Sequence, residues 1–141
     1  MPIKSIFAAV EHAKTQIQNL SVDELSKEIE GNPNLLLLDI RELQERVDLG
    51  TIPGASHAPR GMLEFWADPE SPYYRDYFQE DRRIVVFCAA GGRSALAALA
   101  LQEMGFPDVA HLEPGFAGWE NANQTVEDVS TTSRWIRREK P

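Results

Sequence analysis

The chain has one cysteine, Cys88, and the residues around it carry the strongest chemical implications in the sequence. It follows the run Ile84-Val85-Val86-Phe87 and precedes Ala89-Ala90-Gly91-Gly92-Arg93. β-Branched and aromatic residues in that run favour a strand. The alanine- and leucine-rich stretch Ser94–Met104 favours a helix, closed by Gly105. A cysteine between the two sits at the carboxyl end of the strand, where open α/β sheets bind ligands. The first amides of the following helix lack intrahelical partners and carry partial positive charge. Such a setting favours the thiolate and so populates the nucleophile. Gly91 and Gly92 let the backbone turn tightly, and Arg93 offers a permanent cation to an anionic donor. A lone cysteine in a strand–helix unit also occurs as a small buried hydrophobe. The glycine pair, the arginine and the strand-end position favour the reactive, anion-binding thiol.

The elements that must hold this segment follow from the rest of the pattern. Ile3, Ile6, Phe7, Val10, Ala13, Ile17 and Leu20 recur at helical spacing, which predicts an amphipathic N-terminal helix ending in an extended stretch near Ile17–Leu20. Ser21 and Glu24 form a capping-box pattern, predicting a second helix from about Val22 to Ile29, stopped by Gly31-Asn32-Pro33. Leu35–Leu38, closed by Asp39, is a continuous apolar run of the kind that forms a strand buried on both faces. Glu42–Val47 is a short helix candidate, and Ala55–Ala58 and Val109–Leu112 are short strands. Met62–Phe78 is aromatic-rich and is expected to be a lid-like region, and Phe116–Asn121 a short helix. Strands alternating with helices predict a three-layer α/β domain: a mainly parallel central sheet of about five strands with helices on both faces. The expected division is an amphipathic helical extension over 1–19, one domain over 20–122 and a polar, then basic tail over 123–141.

Size and charge bound the function. The 141 residues suit one core. With 43% hydrophobic and 26% charged residues the chain should pack rather than stay disordered. A formal charge of −8 argues against nucleic acid and anionic membranes as partners. The apolar stretch Ala95–Leu101 is too short to cross a bilayer. Ile6–Val10 is too brief for a signal-peptide core. A lone thiol fits a reducing compartment, so a cytoplasmic location is expected. One cysteine excludes an internal disulfide and any multi-cysteine metal site, and His12, His57 and His111 have no metal-ligand spacing. No metal or cofactor is expected.

Three segments together resemble the signatures of rhodanese domains. Cys88-Ala-Ala-Gly-Gly-Arg93-Ser94 resembles the family's active-site loop. Leu38-Asp39-Ile40-Arg41, Glu45 and Gly50-Thr-Ile-Pro-Gly-Ala55 resemble its first signature, and Leu112-Glu-Pro-Gly-Phe-Ala-Gly-Trp119 its closing one. They occur in the family's order. The resemblance implies that Cys88 accepts a sulfane sulfur from a donor such as thiosulfate and becomes a persulfide. The backbone amides of Ala89, Ala90, Gly91, Gly92 and Arg93 would cradle that sulfur. Asp39 is expected to fix the loop, and Arg60 to face the mouth or solvent. Arg41 and Glu45 have the i, i+4 spacing of an ion pair. Thr51 stands where the family has histidine and Pro114 where it has glycine. Both are expected in turns away from the thiol.

Further expectations divide by partner. With no second cysteine, the acceptor must come from outside: a small thiol, cyanide, a thioredoxin-like protein or another subunit. Trp66, Tyr73 and Tyr74 either wall the pocket or pack as core or a dimer contact. The N-terminal stripe packs on the domain or on a second subunit of a homodimer. Arg134–Arg138 either docks an acidic partner or frays. A persulfide carrier or regulatory module serving a protein partner is the alternative to a free-standing sulfurtransferase. A cysteine phosphatase is disfavoured, because that chemistry keeps five residues between cysteine and arginine and only four intervene here.

Overall fold

A computed structural model describes residues 2–131; the basic stretch Arg134–Arg138 lies outside the described residues. Five strands form one sheet in the order β1-β5-β4-β2-β3, every neighbouring pair parallel. They are β1 Gln18–Leu20, β2 Leu36–Asp39, β3 Ser56–His57, β4 Ile84–Phe87 and β5 Val109–Leu112. The helices are α1 Ile6–Gln16, α2 Val22–Gly31, α3 Leu43–Leu49, α4 Leu63–Ala67, α5 Gly92–Met104 and α6 Gly115–Asn121, with a 3-10 turn at Arg60–Met62. Among the described residues no helix is long and apolar enough to cross a membrane.

Why the central strands are apolar on both sides is plain from the two cores. Leu36, Leu38, Ile84, Val86 and Val109 pack with Leu63, Ala97, Ala98 and Leu101 on the α4/α5 face. Leu37, Val85, Phe87, Ala110 and Leu112 pack with Leu25, Phe116 and Trp119 on the α2/α6 face. A sheet covered on both faces leaves no polar side to alternate with. Ser21 and Glu24 close the predicted capping box, Glu24 N to Ser21 Oγ at 3.1 Å and Ser21 N to Glu24 Oε1 at 3.0 Å. Glycine is required at the end of α5, where Gly105 has φ 113°.

The N-terminal helix runs along α5: Val10 and Ala13 bury against Ala95, and Gln102 Nε2 donates to Gln16 O at 3.0 Å. Of the predicted stripe, Ile3, Ile6 and Phe7 remain exposed. The stretch after it pairs with β5, so residues 18–20 complete the sheet.

The aromatic segment 62–78 closes the α4/α5 core, the cluster to which Cys88 also belongs. Trp66, Tyr74 and Tyr77 pack against that core, and Tyr73 is exposed and meets Phe65 edge-on. Tyr74 and Phe78 line a cavity of about 740 Å³ with Met104, Gly105 and Phe106. Those residues mark the end of α5, whereas Cys88 lies before its start. A helix of 13 residues puts roughly 20 Å between the two. Of the two expected arrangements, core packing describes Trp66 and Tyr74, while Tyr73 stays exposed.

Candidate active site

Cys88 follows β4 directly and α5 begins four residues later. Its side chain is 1% exposed, yet the sulfur is not enclosed by carbon alone. Gly91 N donates to Sγ at 3.2 Å and Ser94 N at 3.3 Å, and Ser94 Oγ lies 3.5 Å away. Donors aimed at one point stabilise negative charge there. Of the amides expected over 89–93, Gly91 N meets the resting sulfur, and Ser94 N, one position beyond the predicted set, is the second donor. Ala89 is half-buried and Ala90 exposed, which puts the solvent side of the site at that turn.

The turn is braced from β5 and α6. Phe116 N donates to Cys88 O at 2.8 Å and Ala117 N to Ala89 O at 3.0 Å. Gly91 has φ 101°, and a Cβ there would meet Glu113 O at 2.1 Å. Gly115 has φ 68°, and a Cβ there would meet Ala89 O at 2.4 Å. Pro114 is therefore not in a turn away from the thiol, as its sequence position suggests. It belongs to the turn that presses on the cysteine loop.

Arg93 points its guanidinium to Glu45, Nη1 to Oε1 at 2.7 Å and Nη2 to Oε2 at 2.9 Å. The Arg93 hydrogen bond holds the Glu45 carboxyl below the usual carboxylate range, and the Arg93 pKa is raised in return. Glu45 also caps α3 through Glu42 N at 3.1 Å. The predicted Arg41–Glu45 pair does not form. Arg41 precedes α3, so helical i, i+4 geometry does not apply to it, and its side chain turns inward.

Arg41 is fully buried on Asp39, Nε to Oδ1 at 3.0 Å and Nη2 to Oδ2 at 2.9 Å. Nη2 also donates to Gly50 O at 2.7 Å, and the guanidinium lies 4.3 Å from the Phe116 ring centre. Asp39 further accepts from Arg46 Nε at 3.2 Å and Thr51 Oγ1 at 2.8 Å. Asp39 thus anchors the end of β2, α3 and the 50–51 turn; among the described residues none of its hydrogen bonds reaches the 88–93 loop. The Thr51 hydroxyl joins the turn to Asp39. Arg60 stands at the same sheet end, its amide donating to Ile40 O at 3.0 Å, and its guanidinium is taken by Glu64 at 2.6 Å.

The fold half-buries one histidine and fully buries another. His57 Nε2 meets Arg41 O at 2.7 Å, and burial lowers its pKa. His111 has no exposed surface, and burial, aided by the charge of Lys14, pushes its pKa down to about 4. Sequence reasoning assigned no role to His111 or to Ser94. Their proximity was partly legible: alternation along β5 puts Ala110 and Leu112 on the α6 face, so His111 must face α5. The unfolded chain protonates His111 near 6.5 and the folded chain only near 4. Between those values folding expels a proton, so stability is expected to fall as pH drops through that window. His57 acts in the same direction. Urea midpoints at pH 7 and pH 5 check this; equal midpoints would contradict neutral burial.

The Rhodanese-like domain family matches residues 21–122. The chain belongs to the rhodanese-like domain family. Three relatives place this rhodanese-like domain more closely. It is 41% identical to protein of unknown function RPA3614 from Rhodopseudomonas palustris CGA009, described as a possible tyrosine phosphatase, with a TM-score of 0.85 over 90% of this chain and 99% of that one. It is 29% identical to the 30 kDa polysulfide-sulfur transferase homodimer of Wolinella succinogenes, with a TM-score of 0.69 over 84% of each chain. It is 29% identical over 105 residues to YrkF of Bacillus subtilis (strain 168), covering 74% of this chain and 52% of that one. The domain thus spans about half the length of that last relative. Family membership, the polysulfide-sulfur transferase and YrkF, described as a putative sulfur carrier protein, support sulfur transfer as the general chemistry.

Proposed function

We propose that this domain is a sulfurtransferase that carries a sulfane sulfur on Cys88. The observation that supports this best is the sulfur at the β4–α5 junction with two amides, Gly91 N and Ser94 N, aimed at it. The Cys88 thiolate attacks the outer sulfur of a thiosulfate-like donor. A Cys88–sulfur bond forms, and sulfite leaves with the electrons of the broken S–S bond. An external thiolate or cyanide then attacks the outer sulfur, and the Cys88 thiolate departs. Gly91, Ser94 and the flanking loop amides stabilise the negative sulfur at each stage, and Ala89, Ala90, Gly92 and Arg93 shape the approach. The acceptor comes from outside, a small thiol or a thioredoxin-like protein, in a reducing cytoplasmic setting.

Incubation with thiosulfate should add one sulfur atom to the protein mass, read by intact-mass spectrometry. No gain would overturn the reading. A second reading, phosphoryl transfer, is suggested by the description of RPA3614. Four residues between Cys88 and Arg93 give a ring sized for one sulfur rather than a phosphate. Efficient hydrolysis of an aryl phosphate would favour that reading instead.

Arg93 holds the donor in this scheme while leaning on Glu45. Arg93→Ala is expected to slow sulfur uptake roughly tenfold or more at low thiosulfate, the worth of a charge-assisted contact. The Arg93 side chain is 41% exposed, so stability should change by less than about 1 kcal/mol. Uptake rates and urea midpoints measured together check both halves.

A further inference from the structure

Behind Cys88 lies a chain of polar side chains, those of Ser94, His111 and Asn19, of which the transfer scheme uses only the Ser94 backbone amide. Ser94 Oγ is 2.8 Å from His111 Nδ1, 3.3 Å from Gly91 O and 3.5 Å from Cys88 Sγ. On the far side of the ring, His111 Nε2 is 2.7 Å from Asn19 Oδ1. The Asn19 amide orientation is fixed, because Nδ2 donates to Lys14 O at 2.9 Å and to Ile17 O at 3.3 Å. Its oxygen therefore faces His111, and Nε2 must carry the ring proton. In the neutral ring Nδ1 is then a bare acceptor, and Ser94 has the one hydroxyl proton that fills it. Ser94 is left presenting a lone pair to the sulfur. A thiol S–H suits that lone pair, but a charged sulfur does not. For a charged Cys88 to gain this donor, the hydroxyl must swing off His111 and leave a buried nitrogen unpaired.

We propose that His111 is a positioning residue for Cys88: held by Asn19 as its Nε2–H tautomer, it draws the Ser94 hydroxyl proton away from the sulfur and restrains its ionisation. Ionisation here means that the Sγ proton leaves to buffer and the sulfur keeps the bond pair. The functional meaning rests on Cys88 being the sulfur carrier, since persulfide and thiolate are both anionic. Asn19 lies before the matched residues 21–122, so the group that sets the His111 tautomer comes from the segment preceding the family domain, while His111 and Ser94 lie within it. Other charges around the cluster are Arg93 on α5, paired with Glu45 of α3, and Lys14 on α1. None changes in the variants below.

The test is the pH profile of Cys88 alkylation by iodoacetamide. Without the Nδ1 acceptor the hydroxyl can leave Gly91 O, 3.3 Å away, for the ionised sulfur, whose charge makes it the stronger acceptor, so His111→Leu should move the midpoint down by about 0.5–1 pH unit, the net worth of one hydrogen bond. Asn19→Ala, at a half-buried position, frees the tautomer and should shift the midpoint the same way if His111→Leu does not fold. In a Ser94→Ala background neither change should have an effect. Nitrogen-15 NMR of the unaltered protein should show His111 protonated at Nε2. A midpoint that rises or stays, or a ring protonated at Nδ1, would overturn the proposal. Alkylation needs no sulfur donor, so a downward shift without a thiosulfate mass gain would sink the transfer reading and leave this one standing.

Discussion

Cys88→Ser is expected to gain no mass on thiosulfate treatment and to unfold within about 1 kcal/mol of the unaltered chain. A serine oxygen would occupy nearly the same point, where Gly91 N and Ser94 N donate at 3.2 and 3.3 Å to the present sulfur. The buried amides keep an acceptor, so the fold loses little. The chemistry goes completely: a serine hydroxyl does not ionise near neutral pH and forms no persulfide. The chain holds no second thiol to substitute for it. A retained mass gain would mean that sulfur is carried elsewhere. A collapse in the urea midpoint would mean that Cys88 is a packing residue.

The largest stability effect should come from Asp39→Ala. Arg41 has no exposed surface, and Asp39 receives two hydrogen bonds from its guanidinium and one from its amide. Removing the carboxylate leaves a guanidinium buried with Gly50 O and the Phe116 face. Breaking such a pair from one side costs about 3–5 kcal/mol. Arg46 and Thr51 lose their shared acceptor in the same step. A domain of this size has only about 5–15 kcal/mol in total, so the variant should sit near its unfolding threshold. Urea unfolding measures this; a loss below about 1 kcal/mol would show that water or the Phe116 ring already compensates Arg41. Asp39→Ala and Cys88→Ser thus separate the two polar centres at the sheet's carboxyl end, one structural and one chemical.

How far the sequence showed these centres depends on the range of the contacts. Strands β2, β4 and β5 were legible because a sheet covered on both faces demands uninterrupted apolar runs. The cap of α2 was legible because Ser21 and Glu24 are three residues apart. The turn of the loop from Cys88 to Arg93 was legible because its glycines follow the cysteine closely, whereas the second amide donor, Ser94 N, falls just beyond it. The Glu45–Arg93 pair was not, since 48 positions separate its members, and the local Arg41–Glu45 spacing pointed to the wrong partner. Asn19, His111 and Ser94 come from β1, β5 and α5, and only the strand order β1-β5-β4 brings them together. The aromatic segment 62–78 left two arrangements open for a related reason. Composition shows that such rings will be covered but not which end of a sheet they cover.

The close fit of Gly91 against Glu113 and of Gly115 against Ala89 bears on how parts of this scaffold can be exchanged. The cysteine turn and the turn after β5 are shaped as two halves of one joint. A graft of residues 88–94 into another protein would arrive without the surface that holds its curvature. Chimaeras should therefore move 88–94 and 113–117 as a unit, even though roughly twenty residues of helix and strand lie between them in the chain.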